Sequence, residues 1–238
     1  MPNASRIRKK GASLLGTMRT GKTMETRRRF MALSISGLTG LALFPLSFVQ
    51  WVWAETKKVI LPKGTKRESL IRRNPAELDT RNLEVTRLKD FGTMGLTDHV
   101  VNPDTWRLEV TGRVKKPLKL NYSQIRDLPS IERTVLLICP GFFANHGRWR
   151  GISINELLRR AGVRDGCTHV AIGGPRGPGE KVVRYPIGDI LSDKVFLAYG
   201  VNGKELPPEH GFPLRVVAED YYGYDWVKYA DKVTAEAD

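Results

Sequence analysis

Apolar and polar residues alternate over Trp106-Arg107-Leu108-Glu109-Val110-Thr111, and Gly112 follows. This period of two predicts a half-buried strand closed by a turn. Thr134-Val135-Leu136-Leu137-Ile138 is instead a continuous apolar run, the pattern of a fully buried strand. It ends at Cys139, and Pro140-Gly141 follows at once. Further strands are predicted near residues 169–172, 181–185, 195–199, 214–218 and 226–229. Asn202-Gly203 is the signature of a type I′ hairpin turn. Predicted helices are few and short. Asn121 or Ser123 caps one that ends by Pro129. Ser153-Ile154-Asn155-Glu156 reads as a capping box, with Gly162 after Arg159-Arg160 as the stop. Residues 173–179 are Gly-rich, but they lack GxGxxG and the Lys-Ser/Thr of a P-loop, so they read as a loop. Strands outnumber helices, which predicts an α+β fold with a mixed sheet.

Ahead of this region the pattern changes twice. Residues 55–90 are polar and charge-rich without a clear period, and read as an extended N-terminal arm to a domain at 91–238. Residues 32–53 carry no charge and are mostly apolar, long enough to cross a bilayer, which needs about 20 residues. They follow Thr26-Arg27-Arg28-Arg29-Phe30 and end in Val52-Trp53-Ala54. A basic segment, an apolar stretch and this ending predict an exported precursor cut after Ala54. The Thr-Arg-Arg-x-Phe pattern resembles the twin-arginine signal, which the export machinery reads on proteins already folded. An uncleaved single-span anchor is the alternative for residues 1–54. Either places the domain in the periplasm.

Composition changes the picture only once it is located. The 238 residues hold 39 Lys and Arg against 25 Asp and Glu, a formal net charge of +14. Such a charge first suggests nucleic acid or an anionic membrane. But residues 1–54 hold nine of the cations and a single acid, Glu25. The remainder shows no basic-aromatic stripe, helix-turn-helix or zinc-finger spacing, so no nucleic-acid partner is expected. With 41% apolar and 27% charged residues the chain is not of a disordered class.

Cys139 is the most informative single position. A thiol at the end of a buried strand can be a soft metal ligand, a nucleophile, an inert core residue or half of a disulfide with Cys167. The four histidines, His99, His146, His169 and His210, show no zinc-site spacing. A second cluster is His210-Gly211-Phe212-Pro213-Leu214-Arg215, with Lys228 thirteen residues on. These donors suit a large anionic ligand such as phosphate, or a solvated basic loop.

These pieces stand in a recognisable order. Phe91-Gly92-Thr93, the strand at 106–112, Cys139 and Trp149-x-Gly151 come first. Leu197-Ala198-Tyr199, Asn202-Gly203-x-x-Leu206-Pro207, His210-Gly211-x-Pro213-Leu214-Arg215 and Tyr222-Gly223-x-x-x-x-Lys228 follow. The set resembles the molybdopterin-binding domain of the sulfite oxidase family, over roughly residues 85–235. In size the chain looks closest to the catalytic subunit of the periplasmic methionine-sulfoxide reductases. The resemblance implies molybdenum held by one molybdopterin without a nucleotide, with Cys139 as the protein thiolate on the metal. It implies that His210 and Arg215 contact the pterin and its phosphate. It further implies that Lys228, with the backbone around Trp226 and Val227, closes the phosphate pocket, and that Asp90 makes a further cofactor contact.

The run after Cys139, Pro140 to Asn145, carries no arginine where sulfite oxidases have one. The implied function is therefore two-electron oxygen-atom transfer, with reduction of an S- or N-oxide first and sulfite-type oxidation as the alternative. No CxxCH haem motif occurs, so a redox partner is expected: a membrane haem- or quinol-linked subunit, or a cytochrome. A cofactor-free module of a membrane complex is the reading from a different class.

Overall fold

The structure is a computed structural model that describes residues 57–175 and 181–238. The leader expected over residues 1–54 lies outside the described residues. So does most of the Gly-rich loop, residues 176–180. Among the described residues no helix is long and apolar enough to cross a membrane.

Residues 57–90 hold two short parallel strands, β1 (Val59–Ile60) and β2 (Leu78–Asp79), joined by single turns of 3-10 helix. They have little regular structure but considerable packing. Leu61, Leu70, Leu78 and Leu83 bury themselves with Leu136, Ile138 and Ala144 in a small core of their own.

Ten strands follow: β3 (Leu108–Gly112), β4 (Leu118–Leu120), β5 (Ser130–Cys139), β6 (Phe143–Ser153), β7 (His169–Gly173), β8 (Val182–Pro186), β9 (Val195–Val201), β10 (Lys204–Glu205), β11 (Arg215–Ala218) and β12 (Lys232–Glu236). The helices are α1 (Tyr122–Arg126), α2 (Ile154–Ala161) and α3 (Ile187–Leu191). One sheet runs β10-β9-β6-β5, with β11 also on β9, and is antiparallel throughout. The other runs β4-β3-β12-β7-β8, and there β12 pairs parallel with β3. This is the mixed-sheet α+β architecture that the pattern predicts. Side chains from both sheets and all three helices meet in one apolar cluster.

The continuous apolar run of β5 now has its cause. Val135 and Leu137 face the main core, while Leu136 and Ile138 face the leucines of the arm. Neither face of the strand end meets water, so neither face needs polar residues. Alternation then puts Cys139 on the side of Leu137.

Two expectations need correction. Residues 226–229 do not form a strand; the strand is β12, six residues later. Among the described residues one backbone bond joins the segment to β11, Val216 N–H to Val227 O at 2.8 Å, and a second lies just beyond both, Ala230 N–H to Leu214 O at 2.8 Å. Apolar content alone imitates a strand there without the ladder. The capping box at Ser153 is only half made. Ser153 Oγ accepts from the Glu156 N–H at 3.3 Å, but the Glu156 carboxylate is held by Arg159 and Arg160. The complete box is at α1, between Asn121 and Gln124. Ser153→Ala is expected to lower stability by about 1 kcal/mol, read as a lower denaturant midpoint at unchanged slope.

The turn signals fare better. Gly162 ends α2 at φ +66°. Asn202 and Gly203 both have positive φ, 53° and 78°, as a type I′ turn requires. Strand β6 escapes a period-two reading because Asn145 and His146 are both buried within it. The arm supplies the backbone partners. His146 N–H donates to Thr86 Oγ1 at 3.0 Å, and Thr86 N–H donates to His146 O at 2.8 Å.

Candidate functional site

A cavity of about 470 Å³ opens where β5 ends, β6 begins and β11 begins. Cys139 lines it, and so do His210, Arg215, Trp226, Val227 and Lys228. Six of the seven residues expected at a site therefore converge from three separate stretches of chain. Asp90 is not among the lining residues. Its carboxylate pairs with Arg87 Nε at 2.7 Å, and the wall of the cavity starts two residues later, at Gly92.

Two kinds of chemistry line the cavity. The Cys139 thiol lies 3.8 Å from Met94 Sδ. It forms no disulfide; Cys139 and Cys167 are both free. Burial pushes the Cys139 thiol up, with Lys181 pulling it part of the way back. A metal binding there must displace a proton. Among the described residues no group of three or more His, Cys, Asp and Glu could hold a metal ion. One thiolate alone does not fix a transition metal, so a metal at Cys139 has to bring further ligands with it.

Arg215 and Lys228 bring positive charge to the wall. Arg215 is 6% exposed, and its guanidinium lies against the rings of Trp149 and Trp226 at 5.0 and 5.5 Å. It donates to His210 O at 2.9 Å. Among the described residues no carboxylate pairs with it. Burial pushes its pKa down to about 10. A buried cation without a counter-ion is costly unless a ligand supplies the anion. His210 is held neutral by burial first, and then by Arg215 and Lys228. Its ring meets Phe91 edge-on at 5.7 Å. Gly211 takes φ +108°, and a Cβ there would lie 2.1 Å from Lys228 O. The glycine beside His210 thus lets the backbone of Lys228 approach. The Lys228 ammonium donates to Thr93 Oγ1 and Leu96 O, each at 2.8 Å.

The pKa of Lys228 is pushed down to about 8, by burial first and then by Arg215. It is charged below that pH and neutral above. Sulfate keeps its charge across this range. Sulfate affinity of the cofactor-free chain is expected to fall about fivefold as pH rises from about 7 to about 9, and the fall should vanish in Lys228→Gln. A flat wild-type profile in equilibrium dialysis would remove Lys228 from the anion site.

Several lining residues carry no sequence signal of their own. Phe143 and Asn145 are the cross-strand partners of Cys139 and Leu137 in the β5–β6 register, so the hairpin puts them on the cavity side. Asn145 Oδ1 accepts from Gly92 N–H at 3.0 Å, and Asn145 Nδ2 donates to Gly92 O at 2.8 Å. This reciprocal pair ties the loop after Phe91 to the hairpin that carries Cys139. The register of a hairpin starting at Pro140-Gly141 was the signal that could have found both. Met94, His99, Lys181, Tyr224 and Tyr229 also line the cavity, and nothing local in the sequence points to them.

Residues 95–238 match the model of the oxidoreductase molybdopterin-binding domain. The chain belongs to this family. The molybdopterin-binding domain is 34% identical over 160 residues to the NADH nitrate reductase of Lotus japonicus, covering 55% of this chain and 18% of that protein. It is 32% identical over 162 residues to NADH nitrate reductase 1 of Arabidopsis thaliana, covering 56% and 18%. Among solved structures it superposes on the sulfane dehydrogenase SoxCD of Paracoccus pantotrophus with a TM-score of 0.56 at 18% identity, covering 92% of this chain and 56% of that one. At that identity the likeness shows the fold. The chain thus spans under a fifth of the plant enzymes and about half of the SoxCD chain. The molybdopterin-binding domain has a cavity that fits its cofactor. The thiol on its wall suits a soft metal, and the buried Arg215, unpaired among the described residues, suits a phosphate together with Lys228.

Proposed function

We propose that the protein is an exported molybdenum–molybdopterin oxidoreductase that reduces an S- or N-oxide by two-electron oxygen-atom transfer. The observation that carries this reading is one cavity lined both by the free Cys139 thiol and by the buried Arg215 guanidinium, which no carboxylate pairs with among the described residues. The cofactor, when bound, supplies the two-electron redox chemistry. The overall reaction takes an oxide, two electrons and two protons to the reduced product and water.

The chain's own residues bind and orient. Arg215 and Lys228 hold the phosphate, and the rings of Trp149 and Trp226 fix the guanidinium that does so. His210, neutral and buried, is placed to hydrogen-bond the pterin without adding charge. Cys139 anchors the metal, and Asn145 holds the Gly92 loop beside it. Electrons come from a partner, a membrane haem- or quinol-linked subunit or a cytochrome, since the chain has no CxxCH motif. The cofactor is the form without a nucleotide. Export through the twin-arginine machinery is supported by Arg27-Arg28-Arg29-Phe30 ahead of the uncharged residues 32–53, and is consistent with a cofactor inserted before transport.

The test is metal content together with a substrate screen on protein from its native host. About one molybdenum per chain and turnover of a sulfoxide or N-oxide with reduced viologen are expected. Absence of molybdenum would sink the cofactor assignment, and turnover of sulfite alone would reverse the direction of the reaction.

A further inference from the structure

The positive charge that lies outside the leader is concentrated in the arm. Residues 57–90 hold ten Lys and Arg against five Asp and Glu, whereas residues 91–238 hold twenty against eighteen. Three of the arm's cations are neutralised. Lys58 pairs with Asp220 at 2.6 Å, Arg81 with Asp79 at 2.5 Å and Arg87 with Asp90 at 2.7 Å. Lys57, Lys63, Lys66, Arg72, Arg73 and Lys89 are exposed, and none has an ion pair among the described residues.

The packing of the arm sets which way these charges face. Leu61, Leu70, Leu78 and Leu83 turn onto Leu136, Ile138 and Ala144. The arm is thus a layer on that face of β5 and β6, and its exposed side chains form the outer surface. Apolar side chains stand among the cations there. Val59 and Ile60 are 51% and 53% exposed, with Lys57 and Lys58 before them and Lys63 after. Phe142 is 68% exposed in the turn between β5 and β6. That turn is fastened to the arm, because Gly141 N–H donates to Ile71 O at 2.9 Å. Phe142 follows the donor and Arg72-Arg73 follow the acceptor, so an exposed ring and two unpaired cations flank one backbone bond.

This mixture suits a lipid interface, where cations meet the headgroup charge and apolar tips enter the acyl boundary. The order of the chain favours lipid over an acidic protein. The arm starts four residues after the uncharged run 32–53, which is long enough to cross a bilayer. A chain held by that run meets the membrane surface at the arm.

We propose that the outer surface of residues 57–90, together with Phe142, docks on an anionic phospholipid membrane. The proposal is independent of the oxygen-atom-transfer reading above.

Lys63 and Lys66 report on this surface directly. The full-length protein is mixed with vesicles of phosphatidylcholine, alone or with about 30% phosphatidylglycerol. The lysines are then acetylated with an N-hydroxysuccinimide ester, and each rate is read by peptide mass spectrometry. Lys116, exposed between β3 and β4 in the other sheet, is the internal reference. Phosphatidylglycerol vesicles are expected to slow Lys63 and Lys66 about fivefold relative to Lys116, and pure phosphatidylcholine to leave them within about twofold. Salt at about 0.5 M should remove the protection. The variants share residues 1–54 with wild type, so differences among them read the arm and its turn. Arg72→Gln with Arg73→Gln should raise the phosphatidylglycerol needed for half-protection about tenfold, and Phe142→Ser about threefold. Arg72→Lys with Arg73→Lys should stay within about twofold of wild type. Equal rates on the two vesicle types, or unchanged docking of either loss variant, overturns the proposal. Protection by polyglutamate without protection by the vesicles would make the partner an acidic polypeptide and overturn the lipid assignment.

Discussion

Cys139→Ala is expected to abolish turnover and to remove the thiolate-to-metal absorption, while the fold persists. The side chain is only partly buried, with one weak sulfur contact to Met94 and the pull of Lys181. Loss of one Sγ therefore costs little stability, on the order of 1 kcal/mol. With Cys139 as the proposed metal ligand, its loss removes that anchor, and activity should fall by at least about a thousandfold. Circular dichroism checks the fold and visible absorption checks ligation. An active Cys139→Ala protein with wild-type absorption would refute the ligand assignment. Cys139→Ser is the informative companion, since it keeps the size and replaces a soft donor with a hard one.

Arg215→Met should act with opposite signs on two measurements. In the cofactor-free chain Arg215 is a buried cation with no carboxylate paired to it among the described residues. Methionine fills similar space without the desolvation cost. The variant is therefore expected to be more stable by roughly 1–3 kcal/mol, the penalty of the buried charge less its attraction to the two indole faces. Pterin content after purification should fall below about a tenth of wild type, because the phosphate loses its buried partner. Chemical denaturation of the cofactor-free protein and fluorescence of the released pterin read the two effects separately. A destabilised variant that keeps its cofactor would make Arg215 a structural residue.

The contrast between these residues shows what a one-dimensional reading can reach. Cys139 is legible because three local facts coincide: a buried strand, its end and a Pro-Gly turn. His210 and Arg215 are legible as a spaced set of donors. Their buried, unpaired state is not, because it depends on Trp149 and Trp226, which come from distant strands and loops. Lys181 reads locally as one more polar residue in a predicted strand. Only the β7–β8 pairing brings it to the wall that Cys139 shares. Asp90 shows the reverse failure. Its place next to Phe91-Gly92-Thr93 suggests a contact with the site, yet a nearer cation, Arg87, takes its carboxylate. The strand misread at 226–229 has the same origin. Trp226 and Val227 are apolar because they wall the cavity and fill the core, not because they sit in a ladder.

The two-sided burial of β5 bears on how a metal is captured. Val135 and Leu137 pack on one face and Leu136 and Ile138 on the other, so the strand end is held from both sides. The reciprocal bonds of Asn145 to Gly92 restrain the neighbouring loop in the same way. A donor atom on such a support loses little configurational entropy when it coordinates, so ligation draws on bond formation rather than on ordering the chain. The leucines of residues 57–90 lie far from the thiol in sequence, yet they stiffen the strand that presents it. The packing that supports Cys139 is thus part of the fold itself.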